Sequence, residues 1–99
     1  MERQAHDGTI AIHLPSVLDL PAAMDLHDAL LDALADNDGD VVVEGAAVER
    51  MSTAAVQVLL AAAAGFKAAG RHFAVAAPSD RIVDAFRQLG LAAQLGSFS

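Results

Sequence analysis

Ninety-nine residues at 10.2 kDa leave room for one hydrophobic core and hence one domain. Six Lys and Arg against thirteen Asp and Glu give a formal net charge of −7, which argues against binding nucleic acid or anionic lipid through a basic surface. Cysteine is absent, so disulfides, thiolate zinc sites and thiol nucleophiles are excluded, and a composition of 55% hydrophobic and 19% charged residues belongs to a folded chain.

Residues 1–7 carry charges with no apolar segment behind them to act as a secretory signal, so they read as a flexible end preceding a single domain over residues 8–99. The expected location is the cytoplasm. Thr9-Ile10-Ala11-Ile12-His13 alternates as a half-buried strand does, and Leu14-Pro15 ends it. Ser16-Val17-Leu18 suggests a second short strand. Pro21 suits a first helical turn, and Ala23, Leu26, Leu30 and Leu34 recur at helical spacing, which predicts a helix over residues 21–35. The turn formers Asp36-Asn37-Asp38-Gly39 stop it, and Asp40-Val41-Val42-Val43-Glu44 then reads as a central strand.

A second helix follows over residues 53–69, with Val56, Leu59, Leu60, Ala63 and Phe66 on one face and Gly70 as its C′ residue. Its apolar run, residues 54–66, is interrupted by Gln57 and falls short of the roughly 18 residues a membrane span needs. Residues 71–76 return as a strand. Pro78-Ser79-Asp80 starts a third helix, capped by Ser79 or by the neighbours of Pro78, with Ile82, Val83, Phe86 and Leu89 on its face before Gly90. The tail, residues 91–95, reads as a last short strand, and the apolar end around Phe98 as an exposed site for weak self-association. Strands alternating with helices through short loops predict an α/β sandwich with a parallel or mixed sheet.

The candidate chemistry is sparse. His6, His13, His27 and His72 share no ligand spacing, so no metal or other cofactor is expected. Placing Gly39 at the sixth position of a calcium loop puts Leu34 first and Gly45 last, and neither carries a side-chain oxygen. No nucleophile elbow or phosphate loop is present, so no catalytic residue is assigned and an enzyme is the weaker class. Asp25, Asp28 and Asp32 form an acidic stripe on the first helix, either a solvated face or a surface for a basic partner. The most informative stretch is Glu49-Arg50-Met51-Ser52-Thr53-Ala54, ahead of Gln57, where two adjacent hydroxyls meet a helix N-terminus. A phosphoryl group there would find unpaired N–H groups and the positive end of the helix dipole, whereas a simple N-cap would also explain the hydroxyl.

At this junction the chain resembles the STAS family, the bacterial anti-sigma factor antagonists and their relatives. Met51-Ser52-Thr53-Ala54-Ala55 occupies the places of the family's D-S-x-G-L pattern, with Met51 where the family has an acid and Ala54 where it has a glycine. The likeness extends over residues 14–30, 41–60 and the ending Gly70-Arg71, Pro78-Ser79 and Leu89-Gly90-Leu91. It implies a central mixed sheet of four to five strands with three or more helices packed mainly on one face. It also implies a non-enzymatic signalling adaptor, monomeric or weakly dimeric, that binds a histidine kinase or anti-sigma-type kinase. By position, Ser52 is the first candidate phosphoacceptor and Thr53 the second. Glu49, Arg50, Met51, Ala54 and Gln57, with Asp25 and Asp28, are the further candidate partner contacts. The segment Leu14-Pro15-Ser16-Val17-Leu18-Asp19-Leu20-Pro21 looks like that of chemotaxis-linked members. The alternative is the small cytoplasmic subunit of a lipid-transporting ABC system, which binds the ATPase with its loop hydroxyl.

Overall fold

A computed structural model describes residues 1–6, 8–36 and 39–98 of the chain. In chain order the elements are β1 (Glu2–His6), β2 (Thr9–His13), β3 (Val17–Leu18), α1 (Leu20–Asp36), β4 (Val41–Glu44), β5 (Arg50–Met51), α2 (Thr53–Ala68), β6 (Phe73–Ala76), α3 (Asp80–Gln88) and α4 (Ala92–Ser97). The main sheet has the order β1-β2-β4-β6, antiparallel at β1–β2 and parallel elsewhere, while β3 and β5 form a separate parallel pair. This is the mixed α/β architecture that the alternation of elements predicts.

Register explains which face is covered. Ile10, Val41 and Phe73 are neighbours across the parallel strands, as are Ile12, Val43 and Val75, and because side chains alternate along a strand these six share one side. Ile12, Val41, Val43 and Phe73 are buried there with Leu26 and Leu30 of α1, Leu59 and Phe66 of α2 and Ile82 and Phe86 of α3. The other side presents Thr9, Ala11, His13, Val42, Glu44 and Ala74, all of them only half-buried. The helices therefore pack on one face. Leu60 and Ala63, expected on the buried face of α2, are half-buried, and Leu89 is exposed.

Helix ends follow local chemistry where the sequence supplies it. Asp19 Oδ1 accepts from Ala22 N–H at 3.1 Å and starts α1, Ser79 Oγ accepts from Ile82 N–H at 3.4 Å and starts α3, and Gly70 and Gly90 follow their helices at φ 72. The C-terminus of α1 is closed from a distance. Its last turn holds no basic residue, and Arg71 supplies the cation, donating to Gly39 O at 2.7 Å, Leu34 O at 3.0 Å and Ala33 O at 3.2 Å. The guanidinium also stacks 4.7 Å from the Phe66 ring centroid, so one side chain joins α1, α2 and the start of β6.

Three expectations differ from the structure. Residues 2–6, where a flexible end is expected, form an edge strand paired with β2; position 7 lies outside the described residues. Gly8, in the turn between β1 and β2, holds φ 81, a left-handed conformation that glycine adopts without steric cost. Arg3 Nη1 also donates to Ala29 O of α1 at 3.5 Å. The ending is a short helix, α4, where a strand was expected. The main sheet ends at β6, and the tail folds back on the helical layer. Phe98 is half-buried, not an exposed end, with edge-on contacts to Phe73 and Phe86 at centroid separations of 5.7 and 5.9 Å.

Candidate functional site

The three parallel strands of the main sheet end on the same side, and the chain leaves each of them toward a helix. The N-termini of α1, α2 and α3 therefore collect at the carboxyl edge of the sheet, where open α/β sheets present their sites. The central piece of this rim is the segment between β4 and α2. It is held by the β3–β5 pair: Ser16 O accepts from Glu49 N–H at 2.7 Å and Arg50 N–H at 3.1 Å, and Leu18 O accepts from Ser52 N–H at 2.8 Å. With Leu18 buried, the backbone of residues 49–52 is fixed while its side chains stay accessible.

Ser52 is the N-cap of α2. Its backbone is extended at φ −82 and ψ 159, its Oγ accepts from Ala55 N–H at 3.2 Å, and its carbonyl accepts from Val56 N–H at 3.3 Å. The capping role anticipated for this hydroxyl is present, and Ser52 is half-buried as a result. Thr53, the first helical residue, is exposed. Both hydroxyls stand at the positive end of a 16-residue helix with no acid in its first turn.

Beside them the surface is polar. Glu49, Arg50 and Met51 line a notch against Arg81, Asp84 and Gln88 of α3. Thr53 lines an adjoining hollow with Met51, Val56, Gln88 and Leu89. Arg50 and Arg81 pair with no carboxylate among the described residues, whereas Arg87 Nη1 sits 3.4 Å from Asp84 Oδ1. Two of the chain's six Lys and Arg side chains thus line the notch that adjoins the Thr53 hollow.

The structure brings Glu49, Arg50, Met51, Ser52, Thr53, Ala54 and Gln57 together as one strand-to-helix junction; Glu49, Arg50, Thr53 and Gln57 are exposed, and Met51, Ser52 and Ala54 half-buried. Asp25 and Asp28 lie elsewhere. Both are exposed on α1, and at about 100° per residue Asp25 stands on the opposite side of that helix from His27, which lines the groove toward α2. The acidic stripe therefore faces away from α2. Arg81, Asp84 and Gln88 belong to the junction but escape sequence reasoning. The amphipathic pattern of α3 puts them on its polar side, yet nothing in the sequence tells that this side meets β5. Among the described residues no three His, Asp or Glu form a group able to hold a metal ion, and no helix is long and apolar enough to cross a membrane.

Comparison with known proteins adds the context. The family model described as Mlab, STAS domain, matches residues 1–96. Among solved structures, that of the anti-sigma factor antagonist SpoIIAA in its unphosphorylated form is similar in fold, with a TM-score of 0.75 at 17% identity over 93% of this chain and 82% of that one. A comparison with curated proteins gives no match.

Proposed function

The chain belongs to the STAS family, and from that premise we propose that it is a non-enzymatic regulatory adaptor that binds a kinase or anti-sigma-type protein through the β5–α2 junction. The observation that carries this reading is the rim itself: a backbone fixed by the β3–β5 pair that presents Arg50 and Thr53 to solvent beside Arg81. Such a surface suits a protein partner better than a small substrate, because its polar groups spread along an edge and do not converge in an apolar cavity. The cytoplasm is the compartment that goes with such a partner.

Phosphorylation at Ser52 or Thr53 would be the switch. A phosphate adds about −1.5 to −2 charge at neutral pH, and here it would meet the α2 N-terminus with Arg50 and Arg81 close by. The compensated charge would leave the fold intact while repelling an acidic or apolar partner surface. A second reading is favoured by Met51, which leaves no carboxylate beside the acceptor, and by the engagement of Ser52 Oγ as a cap. In it the hydroxyls stay unmodified, Thr53 contacts an ATPase, and the chain is the small subunit of a lipid-transporting ABC system.

The test is capture of the tagged chain from its native cells with mass spectrometry of the bound proteins and of the peptide carrying Ser52 and Thr53. A histidine kinase or anti-sigma-type kinase, lost on Thr53→Glu, is the expected result. An ATPase with its permease and both hydroxyls unmodified would replace it with the second reading. Capture unaffected by Thr53→Glu and by Arg50→Glu would overturn both.

A further inference from the structure

We infer that the α1–α2 face, away from the junction, is a docking surface for an amphipathic helix of another protein whose apolar seam is flanked by Lys or Arg. Helix α1 carries two apolar seams. One, Ala23, Leu26, Leu30 and Ala33, is buried in the core. The other is Leu20, Met24, His27 and Leu31, and its three aliphatic members keep 59%, 55% and 51% of their surface in solvent. Single exposed apolar residues are ordinary, but a row with them is not. The 4-3-4 spacing of this row is that of a helix seam built to receive a second helix.

The neighbouring helix extends the surface. Between Thr53 and Phe66, α2 has no charged residue, and its outward side beyond the junction shows Ala61 and Ala64. A groove between the helices is lined by Leu31 and Leu34 on one wall and Val58, Ala61 and Gly65 on the other. Small residues on that wall let a third backbone approach closely. Val58 to Gly65 lie six to thirteen residues beyond Ser52, about 9 to 20 Å along the helix axis, so the groove does not include the junction and the inference does not depend on it.

Charge selects the occupant. Asp25, Asp28 and Asp32 run exposed along the far border of the seam, and among the described residues none of the three is ion-paired with a Lys or Arg, while His27 Nδ1 sits 3.7 Å from Asp28 Oδ1. A second copy of this chain would bring the same acids face to face, each copy carrying a net charge of −7, which is unfavourable. A helix with basic flanks satisfies the seam and the border together.

The test uses a synthetic helical peptide of about 18 residues with leucines at 4-3-4 spacing and lysines on the flanks, titrated into the isotope-labelled full chain. Amide shifts are expected at residues 27–34 and 58–65, with no comparable binding of the same peptide carrying glutamates for lysines. Leu31→Lys, an exposed change that leaves the core alone, should weaken binding about tenfold or more, as should Asp28→Lys combined with Asp32→Lys. Shifts centred on residues 49–57, equal binding of the glutamate peptide, undiminished binding by Leu31→Lys, or a doubled mass of the free chain that Leu31→Lys abolishes would each overturn the inference.

Discussion

At Ser52 two roles meet that substitution can separate. Its Oγ closes the first turn of α2, so Ser52→Ala should lower the unfolding free energy by about 1 kcal/mol in urea titration, while Ser52→Asp, which also caps, should stay within a few tenths. If the junction is also the partner surface, Ser52→Asp must change affinity for the partner despite that retained stability. At Arg71 the expected effect is structural: Arg71→Ala removes three hydrogen bonds from a charged donor and the contact with Phe66, a loss of about 2–3 kcal/mol by the same titration. Arg71→Lys should recover less than half of it, because an ammonium cannot match the planar fork. The two residues also differ in how far the sequence disclosed them. A cap is local chemistry, and a hydroxyl ahead of an apolar helical run signals it. Arg71 reaches carbonyls 32 to 38 residues earlier, and no spacing rule announces such a partner.

At the scale of elements, periodicity and end signals were enough for α1, α2 and α3 and for the strands β2, β4 and β6. The elements that escaped or were misread have physical reasons in common. β1 is an edge strand whose Glu2-Arg3-Gln4-Ala5-His6 lacks apolar alternation, so its order comes from pairing and from the glycine turn after it. Gly8→Val should cost about 1–2 kcal/mol, because φ 81 is open to glycine and closed to a β-branched residue; hydrogen exchange should then show the amides of residues 2–6 losing protection before those of β4. β5 is two residues long, too short for any pattern, yet it brings the junction against α3. The apolar content of residues 91–95 predicts a strand where α4 forms. Its anchorage lies in Phe98 beyond it, and Phe98→Ala should cost about 2 kcal/mol, seen as a lowered melting temperature, by removing both ring contacts and the burial they share.

Across the whole molecule, an acidic chain keeps its helices on one face of the sheet and gathers the N-termini of α1, α2 and α3 at one rim. Family membership and the one-sided architecture were legible in the junction and in the ending of the chain, because loop hydroxyls, helix caps and alternation are written locally. The separation of the acidic stripe from the junction was not, since it depends on the rotation of α1 against α2. That separation makes the central claim open to one direct measurement: hydrogen exchange by mass spectrometry on the full chain, free and bound to the partner recovered by capture. Slowed exchange over residues 49–57 and over the segment holding Arg81, with α1 at Asp25 and Asp28 unchanged, is the predicted result. Protection confined to α1, or to the open face of the sheet at β1 and β2, with residues 49–57 exchanging as in the free chain, would contradict the placement of the partner at the junction.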